Sequence, residues 1–225
     1  MCRIVSPKNS FGQLFMSFKI THPLRLPIAS NKRFLTITRK NFKKAYAYRL
    51  LMDMSRNRMN STYITSISAT WVSGQSALPR WMGLSSGMFR EMLDFHFQAS
   101  VRVIFVNSKF VLTNSSRDEI DDLRRLLLKH RARRSRSERW IAELISVACF
   151  GRNHLWSDLG LVARSQLSEL INFNFPRLAA QNSKNMRWKK FLFKKLCEGE
   201  GLYICRAPTC EECHERSSCF AVDVN

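Results

Sequence analysis

The chain has 225 residues, 45% of them hydrophobic, and a net charge of +20 from 37 Lys and Arg against 17 Asp and Glu. That size and apolar share allow one good-sized domain with appendages and exclude a wholly disordered chain. No apolar run reaches the roughly eighteen residues that a membrane-spanning helix needs. The charge points to an anionic partner, whether nucleic acid, an acidic protein surface or a small oxyanion, without choosing among them.

Residues 1–44 carry Arg25, Lys32, Arg33, Arg39, Lys40, Lys43 and Lys44 with no carboxylate, since the first acid in the chain is Asp53. Pro23 and Pro27 interrupt any helix there, and no sustained periodicity appears. The apolar patch at Leu14 and Phe15 is broken by Gln13 and Lys19, too short for a good signal sequence, although the acid-poor start formally resembles a transit peptide. The expectation is a basic extension, disordered or not part of the core, on a cytoplasmic protein.

From Ala45 the pattern turns helical, with Tyr46, Leu50, Leu51 and Met54 on one face. After a turn at Leu78-Pro79, a second helix is marked by Phe89, Met92, Leu93 and His96. Val101 to Leu112 reads as a short hairpin around Asn107-Ser108. Ser116-Arg117-Asp118-Glu119 has the form of a capping box, and Ile120, Leu123 and Leu127 follow at helical spacing up to the basic run Arg131 to Arg139.

Ser137 is placed to cap the next helix, whose stripe is Trp140, Ile141, Leu144, Ile145 and Ala148, with Gly151 as its stop. Cys149, far from the other thiols, reads as a small core residue. A further helix carries Leu167, Leu170 and Ile171 and finishes near Phe175-Pro176. The last begins near Asn182 or Ser183 and runs through Trp188, Phe191, Leu192 and Leu196, with Gly199 expected to end it in the left-handed conformation. The expected fold is therefore all-α, a helical bundle over residues 45–196 with a C-terminal cysteine-rich loop over 197–225.

That loop holds Cys205-x4-Cys210-x2-Cys213-x5-Cys219. Seven cysteines in a chain without an export signal argue for reduced thiols used as ligands. One Cys-x-x-Cys pair flanked by a cysteine on each side suits an iron–sulfur cluster, of 4Fe-4S, 3Fe-4S or molybdenum–iron–sulfur type. Structural zinc ribbons usually bring two such knuckles across a longer spacer, so zinc ranks second and disulfides third. Pro208 helps the loop turn back. Cys197 is a possible additional metal ligand or a packing residue, and His214, adjacent to Cys213, reads as solvated, as do Glu198, Glu211, Glu212 and Glu215.

Lys189, Lys190, Lys194, Lys195 and Arg206 surround the proposed cluster. They are either a solvated face complementing the helix dipole or an oxyanion-attracting funnel for a dianion such as molybdate. The chain lacks a Walker-type or dinucleotide-type glycine loop, a Gly-x-Ser-x-Gly elbow and a His-Glu-x-x-His zinc motif, so it is not read as an enzyme.

Taken in order, Asn153-His154-Leu155-Trp156-Ser157-Asp158-Leu159-Gly160-Leu161, Phe175-Pro176-Arg177-Leu178, Asn182-x3-Met186-Arg187-Trp188-Lys189-Lys190-Phe191 and the cysteine tail resemble the NifQ family of nitrogen-fixation proteins. The likeness runs from about Tyr48, through Leu78-Pro79 and Met82-Gly83-Leu84, to Phe220. It implies a carrier that takes up molybdenum on an iron–sulfur cluster and donates it, with NifH, to the NifEN scaffold for assembly of the iron–molybdenum cofactor. The family's cysteine motif falls on Cys205, Cys210, Cys213 and Cys219. His154 is a possible additional ligand, and Asp158 and Trp188 are either neighbours of the metal or packing residues. Gln98 stands where the resemblance leads one to expect proline after His96-Phe97, which bears on how the second helix ends. Two rivals remain: a basic DNA repair glycosylase with a C-terminal iron–sulfur loop, disfavoured by the short first cysteine gap and the missing glycine-rich hairpin, and a helical interaction module with a structural zinc tail.

Overall fold

A computed structural model describes residues 32–105 and 117–199, with side chains from Lys43 onward apart from Val103 and Arg117. The helices are α1 (Lys32–Asp53), α2 (Ser61–Val72), α3 (Ser86–His96), α4 (Arg102–Phe105), α5 (Arg117–Lys129), α6 (Ser137–Ala148), α7 (Leu155–Leu159), α8 (Arg164–Asn174), α9 (Pro176–Ala179) and α10 (Trp188–Gly199). Among the described residues no strand forms; an isolated antiparallel bridge joins Ser55 to Phe97. The all-α expectation holds. No described helix is long and apolar enough to cross a membrane.

The core is built around α6, which packs against α5, α7 and α3. The expected stripe of Trp140, Ile141, Leu144, Ile145 and Ala148 is buried, as are Ala142 and Ser146 on the flanks. Leu123 and Leu127 of α5 and Leu167, Leu170 and Ile171 of α8 are buried as their spacing predicts. Pro176 takes the first position of α9, where its missing N–H costs nothing.

Several expectations need correction. Helix α1 starts at Lys32, well before Ala45, and its inward residues are Ala47 and Leu51, whereas Tyr46 is 59% exposed. Residues 99–105 form a 3-10 turn, Ala99–Val101, followed by α4, so the described start of the expected hairpin is helical; its remainder lies outside the described residues. Ser137 is not the cap of α6. Arg136 holds that position without a side-chain bond, and the Glu138 carboxylate binds the preceding turn instead.

Helix α10 starts at Trp188, because Asn182 closes a turn with Met186 instead: its Oδ1 accepts from Met186 N at 2.8 Å and its Nδ2 donates to Met186 O at 2.9 Å. Gly199 is its last helical residue, not a left-handed stop. The exit of α3 is clean at Gln98, whose backbone N–H donates to Met54 O at 2.9 Å, a bond that proline could not make.

Helix α2 was not anticipated at all. Its sequence, STYITSISATWV, is buried on nearly every side, and its Ile and Thr residues favour strands. Buried hydroxyls such as Ser66 and Thr70 serve other elements from within the core.

His96 shows the same economy. It is fully buried, with Ser61 Oγ 2.9 Å from Nδ1 and Ser137 Oγ 3.0 Å from Nε2. Because Ser137 donates onward to Met59 O at 3.2 Å, the neutral imidazole donates from Nε2 and accepts at Nδ1. Three helices are thereby pinned through one ring, whose pKa is lowered to about 4, first by burial and then by Arg58.

Candidate functional site

The proposed ligands Cys205, Cys210, Cys213 and Cys219, together with Arg206, lie outside the described residues. What the structure shows is the helix that precedes them in sequence. Helix α10 buries Trp188, Phe191, Leu192 and Phe193, and the Trp188 indole N–H donates to Ser168 Oγ at 2.9 Å. Residues Trp188 to Phe193 thus seat the first half of α10, and the chain leaves the helix at Gly199, two residues after the half-buried Cys197.

The seat of α10 is polar at one point. Lys189 Nζ donates to Gly151 O at 2.8 Å, to Asn153 O at 2.7 Å and to Asp158 Oδ2 at 3.1 Å, which engages all three of its N–H groups. Asp158, 1% exposed, also accepts from Asn153 N at 3.1 Å and Asn153 Nδ2 at 3.0 Å. A buried carboxylate is tolerated here because an ammonium and neighbouring amides fill its oxygens. Gly151 must remain glycine: a Cβ there would stand 2.3 Å from Asp158 Oδ2.

Two residues on, Gly160 ends α7 at φ 80° and offers its carbonyl to Lys44 Nζ at 3.1 Å, Ser66 Oγ at 3.1 Å and Thr70 Oγ1 at 3.0 Å. The segment from His154 to Leu161 is therefore a joint between α1, α2 and α10. Lys44, assigned by its charge pattern to the extension, is tied into this joint, and burial pushes its ammonium pKa down.

The candidate residues consequently divide. Asp158 and Trp188 have packing and bridging roles. Lys189 is fixed in an ion pair and contributes no open N–H to an oxyanion funnel. Lys194 and Lys195 lie 3.6 Å and 2.7 Å from the two oxygens of Glu198, and these contacts, led by the Lys195 hydrogen bond, hold the Glu198 carboxyl below its usual range. Glu198 is thus a partner of both lysines, beyond the merely solvated carboxylate expected. Lys190 sits on the same helix. His154 caps α7 by its backbone and stacks on Trp156, ring centroids 6.4 Å apart.

Among the described residues no group of three or more His, Cys, Asp or Glu is assembled to hold a metal, so neither His154 nor Cys197 belongs to such a set there. Cys149 is fully buried, as expected of a core residue, and its thiol pKa is pushed up to about 12, chiefly by burial. The Asp158–Lys189 pair and the Gly160 carbonyl escaped sequence reading. Both lay inside the segments that carry the family resemblance, which was the only signal available.

A helical scaffold followed in sequence by a segment with four cysteines defines an all-α protein with a cysteine-rich C-terminal segment. Comparison with known proteins makes this specific. The NifQ family model matches residues 63–221, which includes all four cysteines of the tail. Protein NifQ of Azotobacter vinelandii is 38% identical over 178 residues, covering 75% of this chain and 91% of the relative. The Sinorhizobium fredii (strain NBRC 101917 / NGR234) Protein NifQ homolog is 38% identical over 147 residues, 65% of this chain and 64% of the relative. Protein NifQ of Klebsiella pneumoniae is 47% identical over 81 residues, 36% of this chain and 48% of the relative. The chain belongs to the NifQ family. No solved structure matches it.

Proposed function

We propose that this protein is a cytoplasmic molybdenum carrier of nitrogen fixation, a donor and not a catalyst, whose cargo is taken up on an iron–sulfur core at the C-terminal cysteines and passed to the NifEN scaffold together with NifH. The observation that carries this reading is the family match running through residue 221, so that Cys205, Cys210, Cys213 and Cys219 fall inside the matched region. The donor set fits the group: thiolates are soft ligands suited to iron–sulfur clusters and to a thiophilic heavy metal. When bound, the cluster would supply sulfide for a molybdenum atom to lodge against.

The chain's own contribution is mechanical and electrostatic. The Asp158–Lys189 joint and the Trp188–Ser168 bond fix where α10, the helix that precedes the cysteine segment, begins. Lys190, Lys194 and Lys195 keep positive charge on α10 beside Cys197, which favours approach of an oxyanion such as molybdate.

Replacing any one of Cys205, Cys210, Cys213 or Cys219 by Ala should abolish iron retention after anaerobic reconstitution while helical circular dichroism stays at the wild-type level. Cys149→Ala should keep the iron. Wild-type iron content in all four tail variants would remove the ligand assignment.

A further inference from the structure

The basic run between α5 and α6, which molybdenum carriage leaves without a task, is folded into a fixed turn. Glu138, fully buried, accepts the backbone N–H of Arg133 at 2.9 Å on Oε2 and those of Arg134 and Ser135 at 2.7 Å and 3.3 Å on Oε1. Ala132 N–H donates to Asn174 O at 2.8 Å, which ties the turn to α8. Arg133 stands at φ 62°, a left-handed conformation that a residue with a Cβ rarely adopts and that the surrounding bonds must impose.

The turn brings Arg131, Arg133 and Arg134 to one side of a cleft of about 350 Å³, which Lys129 of α5 and Pro176 and Arg177 of α9 complete. Among the described residues none of these five cationic side chains has a carboxylate within ion-pair distance. Arg134 rests over the Phe173 ring at 5.2 Å. The nearest buried acid, Glu138, has both oxygens occupied by amides. His130 beside the cleft has its pKa lowered first by burial and then by the charges of Lys129, Arg177 and Lys195, as expected where positive potential is left uncompensated.

We propose that this cleft binds a small anion of linked phosphates, a diphosphate or triphosphate. The lining is cationic, with Ala132 and Pro176 its apolar members, so an apolar ligand has little surface to bury. Four guanidinium forks suit the tetrahedral oxygens of phosphate, and each phosphate brings more charge per volume than a carboxylate. The cleft falls in the roughly 300–1,000 Å³ range of small-ligand sites, and five cations exceed what one tetrahedral oxyanion can neutralise. Duplex nucleic acid is tracked by an extended basic stripe, whereas these residues gather around one half-open cleft.

The test is titration calorimetry of the full chain with tripolyphosphate at fixed ionic strength. Orthophosphate and sulfate serve as single-oxyanion probes, and a short DNA duplex serves as a polymeric one. Saturable one-to-one tripolyphosphate binding is expected, at least tenfold tighter than either single oxyanion. It should weaken at least tenfold in Arg133→Gln with Arg177→Gln, and less than twofold in Arg49→Gln with Arg90→Gln, which remove equal charge outside the cleft. Arg131→Gln with Arg177→Gln repeats the test without touching the left-handed position. The proposal is overturned by absence of saturable binding, by equal losses in the cleft and control variants, by unchanged affinity in both cleft variants, by single oxyanions binding as tightly as tripolyphosphate, or by binding confined to the duplex.

Discussion

Asp158 takes part in a buried ion pair whose net worth is small when intact, yet whose disruption leaves an uncompensated ammonium beside the core. Asp158→Ala should therefore lower the unfolding free energy by about 3–5 kcal/mol, read as a shifted urea midpoint; an unshifted midpoint would contradict the joint described for α10. His96 makes a separate claim about pH. Its folded pKa is lowered to about 4 from an ordinary 6.5, so between those values the unfolded chain binds a proton that the folded chain does not. Stability from this site is full above pH 6.5 and is lost as pH falls toward 4, by about 3 kcal/mol in total. His96→Gln should flatten that part of the stability profile; a profile as steep as the wild type's would mean that other groups set it.

At the scale of elements, Gly160 joins α7 to α2 at a point where two constraints coincide. Its φ is 80°, and a Cβ would come within 2.2 Å of Thr70 Oγ1. Gly160→Ala should destabilise the fold by several kcal/mol, well beyond Gly74→Ala, where φ is 70° but the space is open. Equal thermal midpoints for the two variants would argue against the close approach of α2.

The same elements show what periodicity can and cannot reveal. Helices α5 and α8 were legible because each buries one stripe and leaves the rest partly or fully exposed, and α6, though immersed on nearly every side, still sets its large apolar residues at the 3.6-residue period. Helix α2 was not, because its Ser, Thr and Ile content reads as loop or strand. Residues 101–105 misled as well: Val101, Val103 and Phe105 alternate like a strand, and the helical turn there is set by tertiary packing. Of the four residues read onto one face, Leu51 is buried and Met54 packs against the core, whereas Tyr46 is exposed and Leu50 half-buried, and Ala47 was the inward residue missed.

At the scale of the whole molecule, the proposed cysteine site rests on sequence and lies outside the described residues, whereas the support of α10 was hidden from the sequence. Four cysteines within one short segment are the basis in spacing for the proposed thiolate site, and the family likeness is the basis for its proposed cargo. The joint that seats α10 is a contact between residues 31 positions apart, and no local pattern encodes such a pairing. Net charge of +20 promised an anionic partner without locating it; part of that charge proves to be fixed in the Lys189 and Lys195 pairs, and part converges on the cleft beside α9.

The central claim, that the tail carries molybdenum on an iron–sulfur core, is tested most directly by supplying the anaerobically purified full chain with iron, sulfide and molybdate, removing excess metal, and recording bound iron, molybdenum and zinc together with molybdenum-edge X-ray absorption. The account predicts iron and molybdenum retained together, with sulfur in the first coordination shell of molybdenum. A colourless protein that holds zinc alone, or one that retains no iron, would contradict it.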